Sequence, residues 1–245
     1  MKIDVYSTMH NEELILPYWL RHYERFAERI FIWEDESTDQ TRKILEAHPK
    51  VTLLPVEKHG IDDTYWVNHL WTRYKKLSRG MADWVMIVDA DEFIYHPRLV
   101  EKLADWKQKN SGPQVAYCHG FLMMHHQFPF TDGQIYEEVN TGVYDALQSK
   151  RCIFTPDIYI RYRPGRHHVV KIQPDSIERI DKKMKLLHFK FLGEGYFMAR
   201  CRRNMERMSK QNISYKYHYH NDIAGKKGHS LFWYRENKGR IHKVI

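Results

Sequence analysis

The sequence predicts an α/β fold, a mostly parallel sheet flanked by helices and followed by a basic helical extension. Three observations carry that expectation. Apolar runs of strand length alternate with segments of helical spacing through the first hundred residues, acids gather directly after those runs, and cations concentrate at the end of the chain. Residues 1–100 carry 13 Lys and Arg against 17 Asp and Glu, whereas residues 182–245 carry 16 against 4. Such a chain brings an anion and a cation together, or meets phosphates with its tail; a solvated basic helix is the plainer reading of the charge run alone.

IDVYS (3–7) is the first strand, and residues 11–26 place apolar side chains at helical spacing with Pro17 near the first turn. IFIW (30–33) is the second strand. The stretch after it reads as a loop and a helix that Ser37 N-caps and that ends before Pro49. VTLLPV is the third strand, followed by a helix starting at Asp63 or Thr64 and stopping at Gly80. WVMIV (84–88) is the fourth strand. A helix over 98–109 and a strand in VAYCHGFLMM come next, and then the periodicity weakens. FPFTDGQIYEEVNTG reads as a substrate-facing loop, CIFTPDIYIRYRPG as β-rich, and GYFMARCRRNMERMSKQ as helical.

Composition narrows the class. A 42% hydrophobic, 14% aromatic chain is ordered and globular. The opening MKIDVYSTMHNEE has no long apolar stretch behind its lysine, and no segment reaches the roughly 18 apolar residues of a membrane span, so a cytoplasmic protein is expected. Cys118, Cys152 and Cys201 are odd in number and in no CxxC pair, which speaks against a disulfide framework or a thiolate zinc site.

The acids after the strands carry the chemistry. Asp89, Asp91 and Glu92 follow the greasiest run in the chain, and ionised carboxylates buried there need a partner. Asp89 and Asp91 are one residue apart, so in an extended segment they point the same way. Two hard oxygen donors with open positions suit Mg²⁺ or Mn²⁺ bridging a diphosphate. Asp35 ends the second strand, where a carboxylate can accept hydrogen bonds from a ribose or base; Ser37 and Asp39 are more simply helix caps. In a parallel sheet these strand ends converge on one crevice.

HNEELILPYWLRHYERFAERIFIWEDESTDQTRKIL followed by WVMIVDADEFIYHP resembles the nucleotide-binding half of family 2 glycosyltransferases of the GT-A fold, in the subgroup reading NE, a helix, DxSxDxT and DxDEF. The resemblance extends less tightly through SKRCIFTPDIYI, PGRHH and LLHFKFLG to about residue 200. It implies a GT-A type, Rossmann-like domain over 1–200, with a nucleotide-binding half (1–97), an acceptor half (98–200) and a basic extension over 201–245. The implied reaction is inverting, metal-dependent transfer of a hexosyl group from a UDP- or GDP-sugar to a glycan or lipid-linked acceptor, as in polysaccharide or lipopolysaccharide biosynthesis.

The same resemblance implies roles for individual residues. Thr8, Asn11, Glu12 and Asp35 belong to the nucleotide pocket. Asp89 serves ribose and metal, and Asp91 is the more direct ligand of Mn²⁺ or Mg²⁺. His188 in LLHFKFLG completes the metal site or touches the diphosphate, with Lys190 beside it, and His168 or its neighbour His167 matches a GxH element. Inversion needs a carboxylate base, for which Asp132, Glu137 and Glu138 stand as candidates; no QxxRW element is present to choose among them.

Two other classes compete. A metal-dependent nucleotidyltransferase would use the same acids, but no glycine-rich phosphate loop follows the first strand. A nucleic-acid binder would use the basic YKYHYH tail, yet leaves the acidic strand ends unexplained, so nucleic acid is not the expected partner. The tail's Arg202, Arg203 and Arg207 are instead expected to meet an anionic acceptor or to contact an anionic membrane surface peripherally, while Phe232, Trp233 and Tyr234 pack or stack on sugar.

Overall fold

The computed structural model describes residues 1–217 and 238–245. The first part alternates as expected: β1 (Ile3–Met9), α1 (Leu16–Tyr23), β2 (Arg29–Glu34), α2 (Thr41–Glu46), β3 (Val51–Leu54), α3 (Asp63–Tyr65), α4 (Tyr74–Leu77) and β4 (Trp84–Ile87). Then follow β5 (Glu92–Tyr95), α5 (Leu99–Lys109), β6 (Gln114–His125), α6 (Ile135–Glu138), β7 (Thr141–Tyr144), β8 (Lys150–Phe154), β9 (Ile160–Tyr162), β10 (Val169–Ile172) and β11 (Ile177–Leu192). Two helices, α7 (Glu194–Glu206) and α8 (Lys210–Ser214), and the short β12 (His242–Lys243) end the described chain.

The fold class is α/β. The main sheet runs β12-β7-β6-β8-β4-β1-β2-β3, and β11 joins it along β6 and β5. β3, β2, β1 and β4 are parallel neighbours, so their carboxyl ends share one edge. Antiparallel joins begin at β8, which lies between β4 and β6. β11 then returns parallel to β6 and brings residues 185–188 beside 95–92 of β5. That register, with His188 opposite Glu92, places the β11 end next to the acids after β4.

Both faces of the sheet are covered. One face packs Leu16, Trp19, Leu20 and Tyr23 of α1 with Leu99, Leu103 and Trp106 of α5 against Val5, Trp84, Met86 and Phe93. The other packs Val67, Leu70, Trp71 and Tyr74 against Tyr6, Phe31, Trp33, Val85 and Phe154. Strands buried on both faces read as unbroken apolar runs, which is why WVMI, wholly buried, gives so clear a signal.

Four local expectations are corrected. The helix expected from residue 11 begins at Leu16, because Asn11 takes a left-handed turn (φ 52°) and its Oδ1 accepts from the Thr38 and Asp39 amides. Ser37 does not cap α2. Its hydroxyl accepts from the Asn11 amide, and Asp39 Oδ1 accepts from Thr41 N at 2.8 Å instead. The single helix expected over 63–80 is broken. Asp62 caps its start through Tyr65 N, and a π-helical turn over Trp66–Leu70 follows, closed by the bond from Trp71 N to Trp66 O at 2.9 Å. The segment expected as one loop over 128–142 contains α6, whose Gln134 and Glu137 form a capping box.

The C-terminal segment is strapped across the β3–α3 connection. Ile61 N donates to Arg207 O, Ser209 N donates to Ile61 O, and Asn212 exchanges two hydrogen bonds with Asp63. Gly60, at φ +85°, allows this approach: a Cβ there would lie 2.6 Å from Arg207 O. The division expected after residue 200 falls within α7, whose cations on both sides of that point face the sheet edge.

Candidate active site

The carboxyl ends of β1, β2 and β4, the α3 connection, β11 and α7 enclose a cavity of about 200 Å³. Thr8, Glu12, Asp35, Asp89, Asp91, His188 and Lys190 all line it. Sequence positions spread over 180 residues are therefore brought to one crevice by the parallel register and by the return of β11.

The other expected residues lie elsewhere. Asn11 sits behind the wall and bonds to the Thr38–Asp39 loop. His168 is exposed, and its neighbour His167 enters the cavity in its place. Asp132, Glu137 and Glu138 are exposed and do not line it; Glu137 Oε2 accepts from Gln134 N at 3.1 Å in the capping box. Their loop is drawn to α1, where Tyr18 donates to Pro129 O and Arg21 to Gly133 O.

The partners of the acids are cations of the chain itself. Asp89 is held by Lys150 (3.1 Å) and Arg166, and Arg166 also donates to Ile87 O and lies over the Trp71 ring at 4.9 Å. Burial pushes the Asp89 carboxyl up, but the Arg166 and Lys150 charges outweigh it and hold it below the usual carboxylate range. Glu92 is fully buried: Oε1 lies 2.5 Å from Lys150 Nζ and Oε2 accepts from Asp89 N. It braces the turn and the lysine.

Asp91 Oδ2 meets His188 Nε2 at 2.9 Å and the Arg200 guanidinium, while Gln148 Oε1 lies 3.0 Å from His188 Nδ1. Against the upward push of burial, Arg200 and His188 hold the Asp91 carboxyl well below its ordinary value. Glu12 faces Arg200 at 3.2 Å and Arg203 at 3.4 Å; here burial prevails over both arginines and its carboxyl is raised. Asp35 accepts from His59 Nδ1 (2.7 Å), Gly60 N (2.8 Å) and Arg207.

Two groups in the cavity wall remain uncommitted. Lys190 Nζ has no hydrogen-bonded or ion-paired partner among the described residues, and burial lowers its ammonium to about 8. His167 is kept neutral: burial, then the Lys150 charge, lower its imidazole to about 2, and its buried Nδ1 has no partner among the described residues. Among the described residues five carboxylates (Glu12, Asp35, Asp63, Asp89, Asp91) and five cations (Lys150, Arg166, Lys190, Arg200, Arg207) line the cavity.

Sequence reasoning missed Lys150, Arg166, Arg200 and Arg207 as site residues. The spacing 200, 203, 207 was available as one face of a helix. It turns inward toward Glu12, Asp91 and Asp35, so Arg203 and Arg207 are half-buried in ion pairs; Arg202 alone of the three is exposed. Phe232, Trp233 and Tyr234 lie outside the described residues. Among the described residues no helix is long and apolar enough to cross a membrane, and the three cysteines are buried and form no disulfide.

No protein-family model matches the chain. Two curated relatives, uncharacterized proteins of Mycobacterium bovis and Mycobacterium tuberculosis, are each 33% identical over 95 residues, which is 37% of this chain and 23% of the relative's length. Among solved structures, S. aureus TarS 1-349 aligns with 96% of this chain and 78% of its own at 14% identity and a TM-score of 0.43. Its complex with UDP-GlcNAc covers 97% and 78%, at 15% identity and 0.43. The glucosyl-3-phosphoglycerate synthase of Mycobacterium tuberculosis, in complex with Mn²⁺, uridine diphosphate and glucosyl-3-phosphoglycerate, covers 49% and 44%, at 20% identity and 0.34.

Proposed function

We propose that this chain is a GT-A type glycosyltransferase that moves a sugar from a UDP- or GDP-sugar to a hydroxyl of a glycan or lipid-linked acceptor. The observation that carries the reading is the Asp91–His188 pair, 2.9 Å apart in the lining of a cavity that Thr8, Asp35 and Lys190 also line.

The donor set fits a divalent cation of the Mg²⁺ or Mn²⁺ kind. Among the described residues no group of three or more His, Cys, Asp or Glu side chains converges, so the protein supplies two donors, Asp91 Oδ2 and His188 Nε2. Cations that keep few protein ligands take the rest from substrate phosphates and water, which is what this arrangement leaves room for. Gln148 at His188 Nδ1 fixes the ring so that Nε2 faces Asp91. Bound there, the cation would neutralise charge on the leaving diphosphate.

The chain's own residues do the remainder. Lys190 and Arg200 line the cavity and would meet the charge that the departing diphosphate gathers as its bond to the anomeric carbon breaks and the acceptor oxygen bonds to that carbon. Lys150 and Arg166 keep Asp89 ionised, a hydrogen-bond acceptor for ribose hydroxyls. Asp35, fixed by three donors, stands at the nucleoside end. Inversion rests on the sequence resemblance alone. The inward face of α7 favours this reading over nucleic-acid binding, which needs its cations outside.

The test is a panel of nucleotide sugars with and without Mn²⁺, read as nucleoside diphosphate release. One donor class should respond, the cation should accelerate it, and Asp91→Asn should abolish the response. Inert donors throughout, with unchanged donor binding in Asp91→Asn, would overturn the proposal.

A further inference from the structure

Arg200 occupies the carboxylate oxygen that a cation needs. Its guanidinium is bonded to Asp91 Oδ2, the same atom that faces His188 Nε2, and its other edge is held by Glu12 Oε1 at 3.2 and 3.4 Å. The side chain is half-buried, and its guanidinium carries a permanent positive charge held between the two carboxylates. A divalent ion arriving alone would meet this fixed positive charge, with Lys190 near the same wall and no new anion to compensate. A nucleoside diphosphate arriving with the ion brings the missing negative charge.

We propose that Arg200 is the place-holder of the divalent cation: it neutralises Asp91 in the free protein, yields that oxygen when cation and diphosphate bind together, and turns to the diphosphate while Glu12 keeps hold of it. This inference rests on the glycosyltransferase reading of the cavity and adds to it an order of events. Glu12 is then a positioning residue, since it acts only through Arg200. The inference assigns different fates to the two contacts of one guanidinium, with the Glu12 contact kept and the Asp91 contact exchanged.

The experiment measures Mn²⁺ binding by electron paramagnetic resonance and calorimetry, in the presence and absence of UDP, with no turnover involved. In the wild-type protein UDP should tighten Mn²⁺ binding by about tenfold or more, within the usual range of coupling between sites. Arg200→Gln should bind Mn²⁺ alone about tenfold tighter than wild type, while the tightening by UDP falls toward one. Arg200→Lys, which keeps a charge without the two-edged reach, should shift both quantities in the same directions by smaller factors, and serves if Arg200→Gln does not fold.

Equal or weaker Mn²⁺ binding by Arg200→Gln, or no UDP-dependent tightening in wild type, would overturn the place-holder. Failure of the broader reading looks different: wild-type protein would then bind neither Mn²⁺ nor UDP, and Asp91→Asn would change nothing.

Discussion

His188 Nε2, on β11, lies 2.9 Å from Asp91 Oδ2, in the turn between β4 and β5, although the two residues are separated by 97 positions in the chain. The pair exists because β11 runs antiparallel to β5, with His188 opposite Glu92. Replacing either member, by Asp91→Asn or His188→Gln, is expected to lower cation-dependent diphosphate release. The loss should exceed the roughly 10–100-fold that removing an outer partner of a metal ligand costs. Mn²⁺ titrations of both variants check this, and a variant with wild-type Mn²⁺ dependence would remove that residue from the site.

Lys150 is 2% exposed between Asp89 and Glu92, and its ammonium is raised: burial opposes the charge, but the two acids prevail. Lys150→Met leaves Glu92 buried with its charge uncompensated on that side. A loss of about 3–5 kcal/mol in urea unfolding is expected, the usual cost of removing one partner of a buried pair. A change within about 0.5 kcal/mol, as for an ordinary surface substitution, would contradict it.

Gly60→Ala tests whether the C-terminal segment belongs to the site. The residue sits at φ +85°, and the added methyl would lie 2.6 Å from Arg207 O. Forcing a non-glycine residue into that region costs on the order of 1–3 kcal/mol. Displacing Arg207 also releases Asp35 from one of its donors. Lower stability together with weaker UDP binding is expected; calorimetry showing unchanged nucleotide affinity would detach the strap from the pocket.

His22 supplies a pH dependence remote from the cavity. Its Nε2 lies 2.9 Å from Ile94 O, its buried Nδ1 has no partner among the described residues, and burial lowers the imidazole to about 3. The unfolded chain, with a pKa near about 6.5, binds one more proton between those values. Stability is therefore intact above the unfolded value and falls as pH drops, by about 1.4 kcal/mol per unit from this group. His22→Gln should flatten the slope of urea stability between pH 6 and pH 4 by about that amount. Parallel slopes for the two proteins would show that His22 is not buried neutral.

What the sequence could disclose follows from the range of the interactions. Asp35, Asp89 and Asp91 are readable because each follows an apolar run directly, and a parallel sheet collects strand ends by rule. Lys150 and Arg166 come from the antiparallel half, where short strands and a turn at Gly165 and Arg166, both with positive φ, leave no periodic signal, and His167 is reached only through the family resemblance. Arg200 and Arg207 carry a helical spacing that is plain in sequence, but spacing alone does not say whether a basic face meets water or buried acids. The loop with Asp132, Glu137 and Glu138 is settled by its contacts to α1, more than a hundred positions away.

The π-helical turn over Trp66–Leu70 has a consequence for chain length. An i to i+5 repeat brings Trp66 and Trp71 to the same wall of the cavity, with Trp71 packed edge-on to Trp33 and Trp66 half-buried at the opening. In an ordinary helix, with 3.6 residues per turn, the two rings would diverge by about 140°. The extra residue is absorbed by the π turn without moving either ring out of the wall. Deleting a single position between the two tryptophans would make them an i, i+4 pair, which an ordinary helix holds about 40° apart on one face, so the wall survives the loss of that residue but not the loss of the π turn with the residue kept.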